Sequence, residues 1–449
     1  MTVWIKYRRF ILLLPVLLLV TSCEYLFGQG GLFGDKGPPP LSGKRISILL
    51  QQRTLTPDPK LADTEIILPP PTPNPEWPQA GGYPNHAMQH IQVGDVLSKA
   101  WSADIGAAAD SEERIAGSPV VADKMVFVMD AESQVSAFAA KSGKRFWRTE
   151  LTPDNEEDGH IGGGVAYNQG KVYATTGFAE VIAMDAKTGK IGWRTKVDGP
   201  IRSQPTVRGG RLFTITIDNR LIALNAANGK ILWKYLGISE VANILGGASP
   251  AVGKGVVVAP FSSGELVALK VENGRVLWSD SLTSARRSDQ ISTLADIHGR
   301  PVIDRDRVIA MSNAGVMVAI DLRSGRRIWD KEIGGLEDPW VAGGYIFALT
   351  NESEIIALSR NDGAIYWVRS LPRFEDEEKR KDPIIWTGPI LASDRLLIAG
   401  SQGQIWSISP YSGKVLGYEE LSEGISVPPV IAGNSVYFLS DDADLVAYR

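Results

Sequence analysis

Apolar and polar positions along this chain change their rhythm twice. From Phe10 to Val20 nearly every residue is apolar, a run about half as long as the roughly 20 residues that cross a bilayer. Residues 24–76 are then broken up by Gly28, Gly30, Gly31, Gly34, Gly37, Pro38–Pro40, Pro57, Pro59, Pro69–Pro71, Pro73 and Pro75. From about residue 100 onward the chain settles into short β-rich runs separated by turn residues. There the register is strict. A proline stands at 119, 205, 250, 301, 339, 389 and 429, with Val165 in the one gap. Seven and eight residues later comes an apolar pair, from Val126-Phe127 to Val436-Tyr437, and eighteen later a small residue, from Ala137 to Ala447. Twenty-four later lies a glycine, from Gly143 to Gly413, and twenty-eight later Trp147, Trp193, Trp233, Trp278, Trp329 and Trp367. In the seventh unit Tyr418, one place late, takes the Trp position.

Units of 38 to 51 residues with four strand-like runs each predict an all-β fold, a β-propeller of four-stranded antiparallel blades. In the second unit, Ala186-Lys187-Thr188-Gly189 is a turn that needs glycine's access to positive φ. The recurring Trp falls on the outermost strand, where burial between blades is worth about 2–3 kcal/mol each time. The eighth unit stops at Arg449 after its third strand, while Trp101 in Val96–Trp101 has no unit of its own. Joining that strand to the last three closes the ring at eight blades and removes two sheet edges. The distance from each Trp to the next proline varies from 10 to 23 residues, so variation is concentrated in links that strand alternation places on one face. Variable loops on a rigid scaffold are where binding resides. The longest are 279–300 and 368–388, the latter carrying the charge run Arg373–Asp382, read as a solvated loop.

Lys6, Arg8 and Arg9 precede the first apolar run and Val20-Thr21-Ser22-Cys23 follows it, which predicts a signal peptide over 1–22. Those four residues resemble a bacterial lipobox, which implies lipidation of Cys23. Glu24 follows in place of the Asp that retains enterobacterial lipoproteins in the inner membrane, which points to the outer membrane. Cys23 is the one cysteine in 449 residues, so no intramolecular disulfide forms. Losing residues 1–22 removes three positive charges and takes the formal net charge from −4 to −7, against a nucleic-acid partner. Residues 23–76 read as a flexible tether and 77–449 as the propeller. Within the tether only Arg45-Ile46-Ser47-Ile48-Leu49-Leu50 departs, as a short strand or docking peptide.

Catalytic patterns are scarce, and no catalytic, metal or cofactor residue is assigned. The histidines are His86, His90, His160 and His298. His86 and His90 are spaced for one helix face, but among Gly, Pro and Asn. Asp154-Asn155-Glu156-Glu157-Asp158-Gly159 lacks the closing Glu of a calcium loop, since Val165 stands there. G-x-S-x-G elbows and phosphate loops are missing.

Ala183-Met184-Asp185-Ala186-Lys187-Thr188-Gly189-Lys190-Ile191-Gly192-Trp193 resembles the repeat of pyrroloquinoline-quinone (PQQ-like) propellers. Two groups carry it: quinoprotein dehydrogenases, and BamB, the lipoprotein subunit of the outer-membrane β-barrel assembly (BAM) machinery. Lipobox, blade number and length favour BamB, with the similarity covering residues 77–449. It is closest from Gly247 to Trp329 and in Leu445–Arg449. The resemblance implies no catalysis, an outer-membrane lipoprotein facing the periplasm, binding to BamA POTRA domains and other BAM subunits, and help to unfolded outer-membrane proteins. The family's BamA contacts map onto Ala242, Ile244 and Leu245 in one link and Asp296 and His298 in the next. Leu245 replaces an arginine and His298 an aspartate, so the polar half of that contact is altered. A quinoprotein dehydrogenase would need paired cysteines and a calcium site. A lipoprotein scaffold with a different partner stays open.

Overall fold

The computed structural model describes residues 55–449, apart from 111–113, 157–159, 241, 243 and 284–293. The expected signal peptide, Cys23 and the 45–50 stretch lie outside the described residues. Eight four-stranded antiparallel sheets form, each in simple sequence order except the last. Blade 1, for example, runs through Val120–Ala122, Met125–Met129, Gln134–Ala139 and Arg145–Glu150. The first strands of blades 1 to 7 touch their neighbours in turn, so they line the axis and the fourth strands lie outside. Blade 8 joins Val430–Ala432, Ser435–Leu439 and Asp444–Tyr448 to the N-terminal strand Lys99–Asp104, as the unmatched Trp101 predicts. Trp101 pairs with Ala447 as Trp147 does with Ala137, and Ser98 and Arg449 exchange backbone hydrogen bonds of 2.8 and 2.9 Å.

The joint repetition of Gly and Trp has a packing reason. A Cβ on Gly189 would lie 2.5 Å from the Trp147 ring of the preceding blade, and φ there is +71°. Only glycine supplies both the turn and the space for the indole. The indole N–H of Trp147 then donates to the Ala186 carbonyl at 3.0 Å, and Trp233, Trp278, Trp329 and Trp367 reach across in the same way. Blade 7 breaks the pattern. Ser407 pairs with Gly417, so Gly417 holds the Trp position and Tyr418 falls on the other side of the strand, 63% exposed. The expected stand-in is therefore not one. Blade 8 takes its fourth strand from Lys99–Asp104, so no turn joins its third and fourth strands, and a Trp in blade 7 would have no glycine turn to cover.

Residues 55–76 differ from the tether expected for them. The Asp58 N–H donates to the Ile365 carbonyl at 2.8 Å, the Ile67 N–H to the Tyr345 hydroxyl at 2.9 Å, and Ile66 is buried in the core. Prolines fix an extended run here, and Ile66 and Leu68 give it apolar surface to bury.

Residues 69–95 cross one mouth of the ring and touch every first strand. Trp77 exchanges backbone hydrogen bonds with Val121 in blade 1 at 2.7 and 2.9 Å, and the Pro78 carbonyl accepts from Tyr167 in blade 2 at 2.7 Å. The Gln79 amide holds both polar backbone groups of Val207 in blade 3, at 2.7 and 2.8 Å. Pro84 and Asn85 accept from Val252 and Ile303 in blades 4 and 5, at 2.6 and 2.9 Å. Gln89 accepts from the Trp340 indole in blade 6 at 2.8 Å, Ile91 from Ser393 in blade 7 at 2.8 Å, and Asn74 from Gly433 in blade 8 at 2.8 Å. These are the far ends of the first strands, so the segment closes the mouth opposite the inter-blade links. His86 and His90 sit in it without a helix, His86 at φ +59°. Their ring nitrogens face the carbonyls of Pro301 and Pro69 at 2.8 and 2.6 Å.

Candidate partner-binding site

On the open face, the links leaving blades 3 and 4 lie side by side over a small cleft of about 30 Å³. Its wall carries Arg202, Ile217, Asn219, Ile244, Gly246 and Asp296. Asn219, at the tip of blade 3, donates to the Ile238 carbonyl at 2.6 Å and accepts from the Ser262 N–H and hydroxyl at 3.1 and 3.0 Å. One amide thus ties the start of the link to the tip of blade 4. Glu265 adds a second tie, accepting from the Ile238 N–H at 2.8 Å.

The residues expected to meet a partner divide into two roles. Asp296 is only 5% exposed, and its carboxylate accepts the Ile244 N–H at 3.1 Å. It is an internal strut between the two links and not a charge on a polar rim. His298 acts alongside: one ring nitrogen lies 3.1 Å from the Leu245 carbonyl and the other 3.1 Å from the Leu336 carbonyl. Ile244 is half-buried in the cleft wall, Ala242 is exposed, and Leu245 is 48% exposed. Leu236 and Ile238, which the sequence reading passed over, are 65% and 58% exposed at the start of the same link. Strand alternation could have found Leu236: Trp233 and Tyr235 turn inward, so Leu232, Lys234 and Leu236 turn out. Ile238, tied to the cleft-wall Asn219, and Leu245, between the cleft-wall Ile244 and Gly246, are therefore exposed apolar residues next to the cleft, and Leu236 is exposed two residues before Ile238.

Burial pushes the Asp296 carboxyl above its usual range, while His298 and the Ile244 N–H pull the other way. A raised carboxylate pKa means the folded chain holds the proton more tightly. The resulting penalty is absent in acid and grows as pH rises past the ordinary carboxylate range. Asp296→Asn keeps an acceptor for Ile244 without the charge, so its melting temperature at pH 7 should equal or exceed that of the parent. The gain should vanish by pH 4. Asp296→Ala, which strands the Ile244 N–H, should lose about 1–3 kcal/mol in denaturant melts.

The axial channel behind the closing segment is bridged from blade to blade. Gln204 accepts from the Ser118 N–H at 3.2 Å and donates to the Ser118 and Val165 carbonyls at 3.0 and 2.9 Å. Arg300 pairs with Asp338 at 2.6 Å, and Glu337 accepts from the Thr387 hydroxyl at 2.8 Å and the Gly388 N–H at 3.1 Å. Burial raises the Glu337 pKa, with Asp338 adding to it. Among the described residues, no three His, Cys, Asp or Glu side chains are grouped to hold a metal. The charged loop 373–382 forms a two-stranded hairpin of Phe374–Asp376 and Lys381–Pro383.

A family model described as outer membrane protein assembly factor BamB matches residues 98–157 and 131–369. The outer membrane protein assembly factor BamB of Yersinia pestis is 27% identical over 358 residues, 78% of this chain and 88% of that protein. In fold, the crystal structure of BamB from Moraxella catarrhalis superposes with a TM-score of 0.65 at 19% identity, covering 79% of this chain and all of that one. A europium-containing methanol dehydrogenase superposes with a TM-score of 0.66 at 15% identity, covering 82% of this chain and 90% of that one.

Proposed function

This chain belongs to the BamB family, and from that premise we propose that it is a non-catalytic scaffold in outer-membrane protein assembly, docking through its 234–249 and 279–300 links. The observation that carries the reading is the exposure of the apolar Leu236, Ile238 and Leu245 on a link that Asp296, His298 and Asn219 hold in place beside the cleft. An apolar centre on a rigid support is how a modest interface gains affinity. The partner proposed is the set of BamA POTRA domains within the BAM complex, with unfolded outer-membrane proteins as the cargo.

Leu236→Ala combined with Leu245→Ala should weaken binding to the periplasmic domains of BamA about 10–100-fold, or about 1.4–2.8 kcal/mol, with an unchanged melting curve. Unchanged binding would mean that this face or this partner is wrong. Asp296 is left intact in that variant, because removing a buried strut would confuse folding with docking.

The anchor proposed is a lipidated Cys23 in the outer membrane, with the propeller on the periplasmic side. Cys23→Ser should release the protein into the soluble periplasmic fraction. Retention in the membrane after a high-salt wash would place the anchor elsewhere. The dehydrogenase reading is disfavoured by chemistry, since one cysteine cannot supply the paired cysteines that it calls for.

A further inference from the structure

The two ends of the blades carry opposite charge. Turns between third and fourth strands lie at the closed mouth, because each is bonded to the turn between the first and second strands of its blade. The Ala140 N–H donates to the Lys124 carbonyl at 2.9 Å, Ala186 to Gly170 at 2.9 Å and Leu322 to Asp306 at 2.8 Å. These turns hold Lys141 and Lys144 in blade 1, Lys187 and Lys190 in blade 2, and Arg323 and Arg326 in blade 5, and blades 3 and 4 add one cation each. All are exposed, and none of the six forms an ion pair among the described residues. At the open face the turns between second and third strands carry Asp130, Glu132, Asp218, Glu352, Asp441 and Asp442, and not one Lys or Arg.

The chain as a whole is acidic, so distance decides which sign a neighbour meets. Strands of five or six residues hold the two ends about 15–20 Å apart. That is about twice the screening length of about 8 Å at physiological ionic strength. Residues 55–95 place Asp58, Asp63 and Glu65 along blade 6 and Asp95 beside Arg395 of blade 7, with Glu76 alone reaching blade 1. The arc over blades 1 to 5 stays basic. A second observation concerns the N-terminal chain, which joins the ring at this same end. The Asp58 N–H donates to the Ile365 carbonyl at 2.8 Å, and Ile365 is the first strand residue after its turn. Cys23, the proposed lipid site, stands 32 residues before Leu55, a span of at most about 110 Å.

We propose that the basic arc over blades 1 to 5 lies against an anionic phospholipid surface. The preceding reading enters only through Cys23, whose lipid brings the ring to a bilayer by way of this end. The arc then supplies the charge that holds the ring there. Each Lys or Arg at an anionic bilayer multiplies the partition constant about fivefold, and the effect fades within a screening length. Turns at the ends of rigid strands keep their cations in one layer, so several reach headgroups together. The docking links are at the opposite end, so membrane and partner can be held at once.

The test uses the whole mature chain carrying Cys23→Ser, so no acyl chain contributes and the result is independent of the anchor. Flotation would follow it with vesicles of phosphatidylcholine alone and of phosphatidylcholine mixed with phosphatidylglycerol. The protein should float with the mixed vesicles only, and should be released toward about 1 M salt, where the screening length is about 3 Å. Lys141→Glu, Lys144→Glu, Lys187→Glu and Lys190→Glu together should weaken the partition about 100-fold or more. A control with the same change in net charge at exposed positions of the open end, Lys196→Glu, Lys379→Glu, Arg380→Glu and Lys381→Glu, should float as the parent does. Gln at the four blade 1 and 2 positions should weaken the partition about tenfold or more, and decides the matter if the Glu variant melts early. Flotation with both kinds of vesicle alike, equal loss in the two Glu variants, or no flotation would each overturn the proposal. No flotation together with binding of soluble inorganic polyphosphate would reassign the arc to a soluble polyanion.

Discussion

Removing residues 69–95 while keeping the Lys99–Asp104 strand is expected to unfold the ring, and not simply to open its channel. The segment reaches the first strand of every blade, so its loss strips one or more hydrogen bonds from each of them. Each is worth about 1 kcal/mol net, and more where the strand group is left buried and unpaired. Trp77, Met88, Ile91 and Val93 are buried in the same segment, each worth about 1.5–3 kcal/mol. The total, on the order of 10 kcal/mol or above, matches the whole stability of a typical domain, roughly 5–15 kcal/mol. Circular dichroism should show no cooperative melt, and adding a synthetic 69–95 peptide should restore part of it. Within the segment, Trp77→Ala should cost about 3–5 kcal/mol, since the ring is buried and stacked on Trp340 with centroids 6.3 Å apart. A deletion variant melting within a few degrees of the parent would show the eight blades to be self-sufficient.

The sequence showed the blades plainly because each one solves the same local problem. Gly189 must turn the chain and clear the Trp147 ring, and that double demand recurs at Gly143, Gly229, Gly274, Gly325, Gly363 and Gly413. Ring closure was legible for a related reason: Trp101 is a blade residue without a blade. Tyr418 misled because a one-residue slip in a strand exchanges the two faces, and position alone does not show which face is covered. The closing segment was illegible in a different way. It occurs once, its contacts are mostly to backbone, and its Gly and Pro content matches that of a tether. Gly82, at φ +90°, stands where a Cβ would lie 2.1 Å from the Met88 sulfur, a packing demand with no periodic echo in the sequence. At the candidate site, loop length singled out the 279–300 link and the family resemblance supplied 234–249, but the inward turn of Asp296 depends on its neighbours in three dimensions.

His86 makes the closing segment acid-sensitive. Burial first, and then the Arg300 guanidinium, lower its pKa from 6.5 to about 4, while Asp338 and the Pro301 carbonyl oppose the shift. A histidine with a lowered folded pKa is held neutral in the fold, while the unfolded chain takes up a proton near pH 6.5. Its stabilisation is therefore complete above that pH and is lost as pH falls from about 6.5 to about 4. At 1.36 kcal/mol per pKa unit, the loss over this range is about 3 kcal/mol. Glu337 and Asp296 act in the opposite sense, because their raised pKa values relieve a penalty on acidification. The parent profile alone mixes the three, so the decisive comparison is with His86→Asn. Asparagine accepts the positive φ at this position, can still donate to the Pro301 carbonyl, and does not titrate. Urea melts at pH 7 and pH 4 should show the parent losing about 3 kcal/mol more than the variant over that interval. Parallel losses in the two proteins would mean that His86 is protonated in the folded chain, and that the acid sensitivity of the ring originates elsewhere.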